Sequence, residues 1–178
     1  MRRRALALVV VAACLGVVLV AADEIQVTTL VREGRVLVSF RLTNGFSEET
    51  LAAIHSGLPT SITYDVALRK GVPIWFDRTL ASVTVTVSAQ YDNLTRRHQL
   101  SRAIDGRVEE VRSEENEEAV RAWMTTFVRL PLFATASLEP NGEYYVRVEA
   151  RTRPRTAWFF WPWDHGSTAG FARFTYIP

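Results

Sequence analysis

Cysteine is almost missing from this chain. Its one thiol, Cys14, lies inside an N-terminal apolar run, so no intramolecular disulfide can form and the fold must be held by its core alone. Histidine is scarce as well. His55, His98 and His165 stand more than forty positions apart, with no His-x-x-x-His spacing and no carboxylate pattern between them, so no metal site and no cofactor is expected. Glycine-rich phosphate loops are absent, and no internal repeat, low-complexity tract or obvious linker follows residue 23. An excess of one charge is missing too. The 21 Lys and Arg outnumber 19 Asp and Glu, but Arg2, Arg3 and Arg4 open the leader, and without them 18 basic side chains face 19 acidic ones. The basic balance therefore belongs to the leader, and nucleic-acid binding loses its electrostatic support.

What is present begins with that leader. Three arginines precede an uncharged run from Ala5 to Ala22, after which Asp23 and Glu24 start a polar pattern. A basic start, an apolar stretch and small residues at its end describe a secretory signal, with Ala22 and Asp23 flanking the expected cleavage point. Two alternatives stand beside it. The run is 18 residues long, enough for an uncleaved anchor in the inner membrane, and Val11-Ala12-Ala13-Cys14 resembles a lipoprotein box. All three place the remainder outside the cytoplasm, in the periplasm or cell envelope, as one domain over residues 23–178. About 156 residues are sufficient for a single core.

Period-two alternation dominates that domain. In "RVLVSFRLTNG", Val36, Val38, Phe40 and Leu42 share one face, and Glu33-Gly34 joins this stretch to Ile25–Val31 as a tight hairpin. The pattern recurs at Ile62, Tyr64, Val66 and Leu68, and at Val83, Val85, Val87, Ala89 and Tyr91. Asp92-Asn93 and Asp105-Gly106 turn the chain around "LTRRHQLSRAI". "EYYVRVEARTR" and "GFARFTYI" supply the last strands. One dry and one wet face per strand indicate antiparallel pairing. About eight strands at short spacing predict a β-rich α+β fold: an antiparallel sandwich, or a partly open barrel.

Two helices interrupt the strands. Ser47 is placed to cap "EETLAAIHSG", with Glu48 and Glu49 in the first turn and Gly57 as terminator. A second is expected from about Glu114 to Val128, ended by Pro131, with Val120, Trp123, Met124 and Phe127 forming an apolar stripe that seals the sheet. The acidic start "SEENEE" suits a solvated first turn.

With the strands placed, "WFDRTLASVTVTVSAQYDNLTRRHQL" followed by a Trp-bearing helix and "EYYVRVEA" resembles a bacterial exported family, the domain of unknown function 4390. The matching positions are Gly71-Val72-Pro73, Trp75-Phe76-Asp77, and Tyr91, Leu94, Thr95 and Arg96, over a likeness from about Phe46 to the C-terminus. The chain departs at His98, where many members carry Tyr. The resemblance implies export and no established activity. Some relatives are encoded beside membrane sensor kinases, which makes such a kinase one candidate envelope partner.

Catalytic signals are thin. Asp164, His165 and Ser167 crowd into four positions, but triad members arrive from separate loops with an oxyanion hole, and Gly166, Ser167 and Gly170 suit a turn instead. Two features point to contact. Arg147, Glu149, Arg151, Arg153 and Arg155 share parity on one strand, and "TAWFFWPWDHG" puts Trp158, Trp161 and Trp163 beside two Phe. With Trp75 and Phe76 they would form a mixed aromatic and arginine patch suited to an envelope protein or a membrane surface. The expected function is a non-enzymatic contact module. Alternatives are a carrier of a lipid-like amphiphile held between the sheet and the second helix, and a hydrolase.

Overall fold

A computed structural model describes residues 24–71, 78–153 and 168–178, with the backbone alone at 152 and 153. Nine strands occur among the described residues. The first hairpin, β1 (Glu24–Arg32) and β2 (Arg35–Thr43), turns at Glu33 and Gly34, whose φ values of 53° and 72° give the twist-matched geometry of a two-residue loop. Helix α1 (Glu48–His55) begins where Ser47 Oγ accepts the Thr50 amide, as its sequence position foretells. Then come β3 (Thr60–Lys70), β4 (Arg78–Asp92), β5 (Arg97–Ile104) and β6 (Arg107–Glu114), each antiparallel to the last. Helix α2 (Glu117–Thr125) leads straight into β7 (Thr126–Ala134), and β8 (Glu143–Arg153) and β9 (Thr168–Thr175) complete the chain.

The strands form two antiparallel sheets of order β1-β2-β7 and β6-β5-β4-β3-β8-β9, which face one another as a sandwich and not as a closed barrel. Every alternating set named from the sequence supplies the core. Tyr64, Ile62, Val66 and Leu68 on β3 and Val146 and Val148 on β8 are fully buried against Val36, Val38 and Phe40 of β2. At the centre, Phe40 stacks on Phe127 at 4.2 Å, and Tyr64 meets both rings at 5.1 and 4.9 Å. Each such pair adds about 0.5–1.5 kcal/mol beyond the area buried.

Two expectations change. The second helix is shorter than the stripe implied: it ends at Thr125, and Phe127 belongs to β7. Phe127 enters the same core from a strand, so apolar spacing alone could not separate the two. Pro131 does not terminate a helix; it pairs opposite Leu37 on β7, an edge strand that needs no ladder bond from its outward side. Gly170 lies within β9 and not in a turn. Its bare Cα lets Ile25 of β1 pack on it, because an added Cβ would overlap the Ile25 carbonyl oxygen. This approach brings the small sheet against the edge of the large one.

Candidate functional site

The inner face of the six-stranded sheet is spent on the core, so its outer face is what the fold offers to other molecules. Register fixes what stands there. Across β8, Tyr145 lies between Arg69 of β3 and Arg173 of β9, and Arg147 between Ala67 and Phe171. Further along, Glu149 lies between Asp65 and Ala169, and Arg151 opposite Thr63. β4 continues the rows with Thr79, Ser82, Thr84 and Thr86. The shared parity expected of Arg147, Glu149 and Arg151 is realised, and β8 remains paired in register through Arg153 opposite Ser61.

Asp65 and Glu149 face each other directly, an unfavourable like-charge pair unless neutralised. Two arginines do this. Arg151 stands 3.0 Å from Asp65, and Arg147 stands 3.3 Å from Glu149, while the Thr84 hydroxyl donates to Asp65 at 3.1 Å. Among the described residues no acid pairs with Arg69 or Arg173. Among the described residues Arg69 Nε is buried without a hydrogen-bond partner, and the Arg173 guanidinium lies 5.8 Å from the ring centre of Phe171. Phe171 is 66% exposed. Across β4, β3 and β8 an open recess of about 360 Å³ over Ala67 is lined by Asp65, Arg69, Thr79, Ser82, Thr84, Arg147, Glu149 and Arg151. A slip in the β3–β4 ladder between Leu68 and Arg69 falls at its edge; such bulges re-aim side chains.

The patch expected from the sequence is only partly comparable with this one. Arg151 belongs to it. Trp75, Phe76, Arg155, Trp158, Trp161 and Trp163, the side chain of Arg153, and the cleavage pair Ala22 and Asp23 lie outside the described residues, as do Asp164, His165 and Ser167. Their points of departure are nevertheless fixed. Lys70 and Arg78 are paired at one end of β3, whereas Ser61, Thr168 and Arg153 gather at the other. Nine residue steps at about 3.3 Å separate Lys70 from Ser61 by roughly 30 Å, and six separate it from the level of Thr168 by roughly 20 Å. Ile25, near the start of β1, packs on Gly170, two residues into β9 and level with Val148 and Val66. Phe171 and Arg173 were missed because a strand's two faces cannot be ranked until its partners are known.

Beneath α2 the sheet carries a second polar group. Arg102 lies 4.2 Å under the Trp123 ring, pairs with Glu110 at 3.1 Å, and shares Glu110 with Arg112. Burial pulls the Arg102 guanidinium below its ordinary value, with Glu110 opposing. Tyr64 Oη donates to the Met124 carbonyl at 2.7 Å, and Val120 and Met124 are fully buried, so side chains fill the layer between β3 and α2. Burial also pushes the Tyr64 phenol well up, keeping it a neutral donor. Two histidines far apart in the chain meet, which no local pattern signals: the His55 and His98 rings lie 5.6 Å apart with Tyr91 against both, and His55 Nε2 is 3.2 Å from Glu117. His98 faces the Glu114 carbonyl through Nδ1 at 3.3 Å. Among the described residues no three His, Cys, Asp or Glu are grouped to hold a metal ion, and no helix is long and apolar enough to cross a membrane.

A family model described as domain of unknown function (DUF4390) matches residues 21–164. No curated protein and no solved structure matches the chain.

Proposed function

The chain belongs to the DUF4390 family, to which no activity is attached, and from that premise we propose that it is a non-enzymatic contact module of the bacterial envelope, meeting a protein partner through the outer face of its large sheet. One observation carries this reading: among the described residues Arg69, Arg147, Arg151 and Arg173 stand on one face against Asp65, Glu149 and, at the start of β8, Glu143, beside an exposed Phe171. The domain as a whole is close to neutral, so this cationic surplus is local. Arginine with exposed aromatic area is the composition that interface cores favour. Asp65 is held by Arg151 and Thr84 and serves to order the face. The basic start and apolar run of residues 2–22 support a position outside the cytoplasm. Trp158, Trp161 and Trp163 have the chemistry for a second contact at a membrane surface.

Photo-crosslinking in native envelopes tests the reading. A benzophenone amino acid replacing Phe171 should give a discrete adduct with one protein, and Arg173→Glu should abolish it. The same probe at Leu94, on the β4–β5 turn, should give none. Equal labelling from both positions, or an adduct indifferent to Arg173→Glu, would end the proposal.

A further inference from the structure

The recess over Ala67 has a more specific chemistry than a cationic surface. Ala67 is the one small side chain on the outer face of β3 between Asp65 and Arg69, and its neighbours across the ladders are Ser82 and Arg147. A guanidinium therefore rises on each of two sides, from Arg69 and Arg147, and hydroxyl donors from Ser82 and Thr79 complete the ring. Arg69 is the telling member. Its Nε is buried and donates to nothing among the described residues, and a buried donor left unpaired is costly. Closed off from solvent, that atom gains a partner only when Arg69, which lines the recess, turns toward a guest.

We infer that this recess seats a carboxylate carried on the partner protein, an Asp or Glu side chain on a segment crossing the sheet; this rests on the contact-face reading above. The choice of anion follows from the walls. Asp65 and Glu149 stand in the same recess, and both are neutralised by Arg151 and Arg147, so the surplus left for a guest is small. A singly charged carboxylate matches that surplus, and the planar fork of an arginine accepts it in a bidentate manner. A doubly charged phosphate would meet two fixed carboxylates. A lipid bilayer cannot reach a floor recessed below arginine side chains.

Fluorescence anisotropy on the full chain with a labelled hexaglutamate peptide tests the seat. The wild type should bind the peptide with an affinity that falls as salt rises. Arg69→Gln should weaken binding about tenfold, the loss expected for one charge-assisted hydrogen bond. Ala67→Met, which changes no charge but fills the floor, should weaken it as much, and Arg96→Gln on the distant β4–β5 turn should change nothing. Circular dichroism confirms that each variant is folded, and Ser82→Ala gives a milder check should Ala67→Met disturb the sheet. Peptide binding unaffected by Ala67→Met and Arg69→Gln would overturn the seat. So would inorganic phosphate competing better than glutamate at equal charge, or binding to phosphatidylglycerol vesicles showing the same dependence on Ala67. A Phe171 adduct that survives in either case would leave the contact face standing without the seat, whereas loss of that adduct's dependence on Arg173 would remove both.

Discussion

Gly170→Ala should be among the most damaging single substitutions in this domain, although it adds one methyl group. The added carbon would overlap the Ile25 carbonyl oxygen and stand 2.9 Å from the carbonyl carbon and 3.0 Å from Ile25 Cβ. Non-bonded carbons rest about 3.5–4.0 Å apart, and the carbonyl oxygen overlaps more deeply than either carbon, so β1 and β9 must separate by about 1 Å or more. The obstacle is backbone, and no rotamer change relieves it. Overpacking of this kind costs about 1–3 kcal/mol. Moving β1 also uncovers Ile25, now 4% exposed, and losing part of that burial adds about 1 kcal/mol. The sum, about 2–4 kcal/mol, corresponds to a fall in melting temperature of roughly 5–15 °C for a domain of this size. Thermal unfolding followed by circular dichroism measures it. Gly71→Ala is the control, since an added Cβ there meets nothing within 4 Å. A Gly170→Ala protein melting within a degree or two of wild type would refute the close approach of β1 to β9.

Other perturbations follow from single contacts. Tyr64→Phe deletes the donor that reaches the Met124 carbonyl at 2.7 Å and leaves that acceptor buried, so it should cost about 1–2 kcal/mol in urea unfolding; no change would mean that α2 is not tied to β3. Asn116 accepts the Glu118 and Ala119 amides at 2.7 and 3.4 Å, so Asn116→Ala should cost about 1 kcal/mol, with reduced amide exchange protection in α2 as the readout. The Lys70–Glu139 pair, 2.6 Å apart, holds the Glu139 carboxyl below and the Lys70 ammonium above their ordinary values, chiefly through their mutual hydrogen bond. Its stabilisation is therefore fully present at neutral pH, fades as pH falls through the depressed Glu139 value, and fades again as pH rises through the raised Lys70 value. The melting-temperature gap between wild type and Glu139→Gln should shrink in acid below about pH 4; a gap that widens there would reverse the assignment.

How much of this was legible beforehand depends on how far each signal reaches along the chain. Alternation at Val36–Leu42, Ile62–Leu68 and Val83–Tyr91 marked strands and their buried faces, because a period of two is written in neighbouring residues. Ser47 announced α1, and Glu33-Gly34 and Asp105-Gly106 announced their hairpins. The shared parity of Arg147, Glu149 and Arg151 was equally visible. β7 was not. Its Phe127 continued the helical spacing of Val120, Trp123 and Met124, and only pairing with β2 decided that the helix stops at Thr125.

The sequence by itself determined that a basic and then apolar run precedes a thiol-free, β-patterned stretch of nearly balanced charge, since composition and short-range periodicity need no partner to be read. Only the tertiary structure decided which residues share a surface. It set Arg69 and Arg147 around Ala67, placed Phe171 beside Arg173, and brought His55 to His98. It also rooted the segments bearing Trp75 and Trp158 at opposite ends of one sheet. Those relations depend on strand order and register, which arise from contacts between residues far apart in the chain, and no local pattern encodes them.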